Sequence, residues 1–158
     1  MTRLSLKEAR ALGIIPAKPK QKKMPRPNPV QWDAKTFRGG MWIQVPFVPP
    51  SLNVWMKWHW TEQRRYKEEL LQNMQVLKMA FKLPQYKFAT VQIIHYFATV
   101  RRRDADNMAP KFALDALVRG GILEDDRDDW IKVMPPGMEC DRERPRTEIF
   151  IWEEATTC

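Results

Sequence analysis

The sequence predicts an α+β domain: a small mixed β-sheet packed with two main helices, preceded by a basic N-terminal extension. Three observations carry this expectation. Hydrophobic periodicity changes along the chain in the order strand, helix, strand, helix, strand, strand, which suits a mixed sheet with helices laid on it. The 158 residues suffice for one domain with a real core plus an appendage. The formal net charge of +8 is also unevenly placed. Residues 1–40 hold ten Lys/Arg against Glu8 and Asp33, whereas residues 41–158 hold seventeen basic and seventeen acidic residues. Residues 1–40 are therefore expected to form a basic arm, and residues 41–158 a neutral folded domain.

The arm opens with S-L-K-E, Ser5 to Glu8, a capping-box signature in which serine and glutamate each satisfy a free backbone N–H. A short helix is expected from there to a stop at Gly13. The following A-K-P-K-Q-K-K-M-P-R-P-N-P is rich in proline and lysine and should be extended. Lys20, Lys22 and Lys23 within it are candidate phosphate contacts, because so basic an arm suits a polyanion such as DNA and the neutral domain itself offers no long-range attraction for one. A solubilising linker, or a docking arm for another protein, is the competing reading.

Within the domain, Trp42 to Phe47 alternates as a strand and is broken by Pro49-Pro50. Thr61 to Lys82 sets Tyr66, Leu70, Met74, Leu77 and Phe81 at helical spacing, with Pro84 just past its end. Phe88 to Val100 is β-branched and aromatic, hence a strand. A second helix should follow, with Asp106 or Asn107 as N-cap and Pro110 in the first turn, where a missing N–H costs little. Phe112, Ala113, Leu114, Ala116, Leu117 and Val118 give it an apolar face, and Gly120-Gly121 stops it. Trp130 to Val133 and Thr147 to Trp152 read as closing strands.

No run of about 18 apolar residues occurs, so no membrane span is expected. The N-terminus also lacks the apolar stretch of a signal peptide. Cys140 and Cys158 show neither metal nor redox spacing and fit free thiols in a cytoplasmic protein. His59 and His95 have no partner pattern and read as structural.

The chemistry concentrates between Arg101 and Trp130, R-R-R-D-A-D-N-M-A-P-K-F-A-L-D-A-L-V-R-G-G-I-L-E-D-D-R-D-D-W. Asn107, Lys111 and Asp115 stand at i, i+4 and i+8 and are expected on one helical stripe. The turn after the glycines is expected to bring Asp125 and Asp126 back to the helix N-terminus, beside Asp104 and Asp106. Carboxylates repel one another, so gathering them requires a cation, and an all-oxygen set suits Mg²⁺, with Mn²⁺ as a substitute. Arg101, Arg102 and Arg103 alongside would suit a phosphodiester. The combination reads as a metal-dependent nuclease, and a solvated acidic rim is the competing reading. A calcium loop fits poorly: Met108 replaces a ligand, Ala109 the turn glycine and Asp115 the final glutamate.

Upstream, Trp55-Met56-Lys57-Trp58-His59-Trp60 interleaves aromatic rings with a cation. Such rings can stack on unpaired bases, although filling a core or a dimer interface is the commoner use. Lys57, Arg64 and Arg65 are better placed as phosphate contacts.

At these residues the chain resembles the RusA family of Holliday junction resolvases, common in bacteria and their phages. The resemblance rests on R-R-R-D-x-D-N, a lysine, D-A-L, a glycine and a D-D pair, preceded by V-P-F-V-P-P-S-L-N at Val45 to Asn53. Both blocks occur in the family's order and rough spacing, over about residues 41–153. It implies a small, dimerising α+β domain and Mg²⁺-dependent paired nicking of four-way DNA junctions in recombination and repair. It further implies that Asp104, Asp106 and Asp126 bind the metal, with their neighbour Asp125 counted in the same metal site, and that Lys111 is the catalytic lysine. In the family's pattern the lysine follows the second Asp by four residues; here Pro110 holds that place and Lys111 comes one later. Asp115 is expected to orient Lys111 through an i,i+4 pair. The compartment would be the bacterial cytoplasm, or the host's for a phage protein. Two alternatives remain: a flap or fork nuclease of the same fold, and a non-catalytic phage DNA-binding accessory protein.

Overall fold

Strand β1, Asp33–Phe37, opens the fold and turns through Arg38-Gly39 into β2, Gly40–Val45. Gly39 takes a φ of 81°, which only glycine adopts at little cost. Its neighbour Gly40 is needed for space, because a Cβ there would collide with the Ile151 carbonyl and the Phe37 ring. The structure, a computed structural model, describes residues 12–13, 29–108 and 110–155.

The domain is α+β, a six-stranded mixed sheet with helices on one face. After β2 come a one-turn helix, α1 (Leu52–Trp55), the long α2 (Trp60–Phe81), β3 (Ala89–Phe97), α3 (Lys111–Arg119), β4 (Ile131–Val133), β5 (Gly137–Cys140) and β6 (Arg146–Glu153). Strand order is β1-β2-β6-β3-β4. β6 lies antiparallel between β2 and β3. Along its other edge β3 pairs in parallel with β4 near its start, Ala89–Val91, and with β5 near its end, Ile94–Phe97.

Alternation decides which sheet face is covered. Met41, Ile43, Val91, Ile93, Ile149 and Ile151 are all buried and, by register, share one face. With Leu70, Met74 and Leu77 of α2 and Ala116 and Leu117 of α3 they form the core. α2 begins at an N-cap, His59, whose side chain accepts from the Thr61 N–H. It ends at Lys82 in the left-handed region, φ 51°.

Two strands escape the periodicity. In β1 only Ala34 is buried, and in β5 no residue is, so neither shows an apolar alternation. β1 also moves the start of the folded domain. Trp32 packs edge-on against Phe47 at 5.8 Å, and Ala34 belongs to the core, so the fold takes in residues before 41. The basic stretch of sequence before it is correspondingly shorter: residues 1–32 carry eight Lys/Arg against Glu8. The expected Ser5–Gly13 helix, Lys20, Lys22, Lys23 and Cys158 lie outside the described residues, except that Leu12-Gly13 form a turn. No helix among the described residues is long and apolar enough to cross a membrane.

His95 is buried on the core face and shares a 3.0 Å hydrogen bond with the Thr147 hydroxyl. Burial penalises the imidazolium and lowers its pKa from 6.5 to about 4. Between those values the unfolded chain binds a proton that the folded one refuses. Stability is therefore undiminished above about pH 6.5 and falls as pH drops towards 4, by on the order of 3 kcal/mol. Melting temperatures measured from pH 8 to 4 should show this acid limb, and His95→Gln should flatten it.

Candidate functional site

The end of β3 hands the chain to the arginine-aspartate block, and Arg103 shapes the turn that follows. Its guanidinium lies 3.7 Å from the centre of the Phe97 ring. Nη1 donates to the carbonyls of Thr99 and Arg101, each at 3.1 Å, and Nη2 to the Thr99 hydroxyl at 3.0 Å. A rigid planar fork over an aromatic face is a use lysine cannot copy. Arg103 thus spends much of its donor capacity on the turn, while Arg101 and Arg102 remain exposed. Asp104 is extended, and a 3₁₀ turn follows at Ala105–Asn107 with Asp106 exposed on it. Met108, at the end of that turn, is 5% exposed and lies outside the main core cluster.

The second wall comes from the P-P-S-L-N segment. Ser51 caps α1 by accepting from the Val54 N–H at 3.4 Å. The adjacent Asn53 N–H donates instead to Asn107 Oδ1, 3.1 Å away and 54 residues on in sequence. The two blocks far apart in the chain therefore face each other across a cleft of about 400 Å³. Pro49, Ser51 and Val54 line one side, and Arg101 to Asp104 with Asn107 line the other.

Several expectations need correcting. Neither Asp106 nor Asn107 caps the second helix: they form the separate 3₁₀ turn, and α3 starts at Lys111 with Pro110 as N-cap. Proline has no N–H to continue the ladder through that point. Asn107 consequently does not share a helical stripe with Lys111 and Asp115. Lys111 is exposed in the first turn of α3 and makes no ion pair with Asp115. Asp115 instead lines a cavity of about 70 Å³ between α2 and α3, with Lys67 and Arg119.

The larger correction concerns the two acid pairs. Leu123 bridges to Tyr86, Glu124 N–H donates to the Tyr86 carbonyl, and Ile131 pairs with Ala89. Asp125 and Asp126 therefore lie by the start of β3, whereas Asp104 follows its end. The eight residue steps from Ala89 to Phe97 separate those ends by roughly 26 Å. Among the described residues no three His, Cys, Asp or Glu side chains come together as a metal-holding group. Asp125 Oδ1 accepts from the Asp126 N–H at 2.8 Å, and Asp126 is exposed.

Of the other candidates, Lys57 and Arg65 are exposed, and Arg65 lines a cleft of about 310 Å³ with Glu62, Glu69 and Trp58. Arg64 pairs with Glu68 at 2.9 Å on the surface, a contact of small energetic weight. The core reading holds for Trp55, which is buried 4.4 Å from the Phe112 ring and packs on Tyr66. Trp60 is 64% exposed and remains available. No motif singled out Lys87 or Arg127. They flank the Trp130 ring at 4.5 and 4.8 Å, beside the Asp125-Asp126 loop.

Comparison of the sequence with protein families and with curated proteins gives no match. Among solved structures the chain is similar to the periplasmic domain of Helicobacter pylori MotB, at 13% identity and a TM-score of 0.40, over 79% of this chain and 83% of that one. A second MotB periplasmic domain matches at 12% identity and a TM-score of 0.40, over 98% and 88%. Neither likeness carries a functional argument.

Proposed function

We propose that the chain is a Mg²⁺-dependent endonuclease for branched DNA that works as a homodimer and resolves four-way junctions by paired nicks. The observation that supports this most is the cleft in which the R-R-R-D-A-D-N loop and the P-P-S-L-N turn meet, since those are the two blocks that carry the RusA resemblance. The separation of the acid pairs defines how such an enzyme would be built. One chain offers Asp104 and Asp106 at one end of β3, and Asp125 and Asp126 at the other. A two-fold axis relating antiparallel copies sets one end of each chain against the opposite end of its partner. Two composite sites then arise, each with the oxygen-only donor set that Mg²⁺ or Mn²⁺ accepts.

In each site Asp104 and Asp106 of one chain, with Asp126 of the partner subunit, would hold the cation, and Asp125 would keep the Asp126 backbone in place. Bound there, Mg²⁺ supplies charge stabilisation at the phosphate and lowers the pKa of a water. Arg101 and Arg102 are the free guanidinium groups beside the acids and would clamp flanking phosphates. Lys111, exposed next to the same loop, would neutralise charge on the phosphate as it becomes five-coordinate. Lys57, Arg65 and the basic arm would add contacts to the DNA backbone, which position the substrate without reading its sequence.

The deciding assay incubates the full chain with a synthetic four-way junction, a flap, a fork and plain duplex, each with Mg²⁺, Mn²⁺, Ca²⁺ or chelator. Cutting of the four-way junction with Mg²⁺ or Mn²⁺, and little with Ca²⁺ or chelator, is expected. Preference for flap or fork would move the substrate assignment, and tight binding of branched DNA with no cutting would leave a DNA-binding accessory protein.

A further inference from the structure

We infer that Asn107 is a positioning residue, whose side-chain carbonyl ties the first turn of α1 to the acid-bearing loop and so sets the width of the cleft. The inference deepens the nuclease reading above and rests on it for its catalytic consequence. Its basis is the bond from the Asn53 N–H to Asn107 Oδ1, at 3.1 Å. Among the described residues it is the only hydrogen bond that joins the two walls of the cleft.

The two walls are held very differently. The loop that bears Asp104 and Asp106 is braced by Arg103, which stacks on Phe97 and donates to the carbonyls of Thr99 and Arg101. The opposite wall follows the end of β2 through Pro49 and Pro50, so it takes no part in the sheet ladder. α1 is a single turn, whose N–H groups need partners from outside the helix. Ser51 supplies one for Val54, and Asn107 supplies the one for Asn53. The contact thus does two things together: it completes the cap of α1, and it fixes Ser51 and Val54 opposite Arg101 to Asp104. An amide is suited to that place because it accepts a hydrogen bond without adding a third negative charge beside Asp104 and Asp106.

The test combines exchange and kinetics. Hydrogen exchange of the Asn53 amide, read by NMR, should show protection in the parent, its loss in Asn107→Leu and its retention in Asn107→Asp, which keeps an acceptor oxygen. In single-turnover assays with a four-way junction and Mg²⁺, Asn107→Leu should lower the cleavage rate about tenfold or more through misplacement of the reacting groups. Its junction Kd should stay within about twofold of the parent's, since phosphate contacts dominate affinity. Equal Asn53 protection in parent and Asn107→Leu, or an unchanged cleavage rate, would overturn the inference. A parent that cuts no branched DNA would instead sink the nuclease reading, and the exchange experiment would still decide whether Asn107 holds α1.

Discussion

Asp106→Asn is expected to slow cleavage of a four-way junction by about a thousandfold or more, while junction affinity equals or exceeds the parent's. The substitution removes an anionic oxygen from the donor set and keeps the side chain's size. It also deletes a negative charge that faces the phosphates, so Coulomb repulsion falls in the bound state. Asp106 lies exposed on its 3₁₀ turn and makes no hydrogen bond or ion pair that folding depends on, so the variant should melt with the parent. Asp104→Asn and Asp126→Asn are expected to behave alike, Asp126 being equally exposed. Rates should be taken under single turnover at saturating protein, and affinities by fluorescence anisotropy with metal withheld. Near-parent cutting by Asp126→Asn would remove that residue from the site. Weaker junction binding by Asp106→Asn would show that the carboxylate organises the DNA-binding loop rather than the chemistry.

The sequence made the longest elements legible, because burial leaves a period that can be read. Leu70, Met74 and Leu77 mark α2, and Val91, Ile93 and His95 mark one face of β3. β1 was hidden because it is an edge strand with a single buried side chain, and Lys35 and Arg38 made it resemble the basic arm. The cleft was half legible. Both of its blocks are contiguous motifs, yet the bond between Asn53 and Asn107 spans 54 residues and no local pattern encodes it. The commitment of Arg103 to its own turn is likewise a matter of how the backbone folds back, and three successive arginines look equivalent in sequence.

The acid pairs show the same limit at larger scale. Asp125 and Asp126 follow a glycine stop, and a tight return to the start of the helix is the simplest reading of that pattern. The topology requires otherwise. β3 and β4 are parallel, so the chain must travel back along the whole of β3 before β4 can begin. The nine residues of α3 cover roughly 13 Å of that journey, and the segment through Leu123 covers the rest. Parallel and antiparallel neighbours carry the same alternation in a three-residue strand, and the sequence therefore could not choose between them.

Mixing Asp106→Asn chains with Asp126→Asn chains is expected to restore cutting that neither variant shows alone. In a composite dimer each site takes Asp104 and Asp106 from one chain and Asp126 from the other. A mixed dimer then concentrates both substitutions in one site and leaves the second site wholly native. With random exchange about half of the dimers are mixed and each has one working site, so about a quarter of the parent's nicking rate should return. The products should differ too. The parent should nick both opposed strands in one encounter, whereas the mixed dimer should leave junctions nicked on a single strand. Co-expression with two affinity tags isolates the mixed species, and a denaturing gel with each strand labelled in turn reads the nicks. If one chain assembled all of its own acids, the mixed dimer would contain two dead sites and the mixture would stay inactive. Each result therefore locates the acids, because the geometry of one chain, with its acid pairs at opposite ends of β3, predicts rescue only when the partner completes the site.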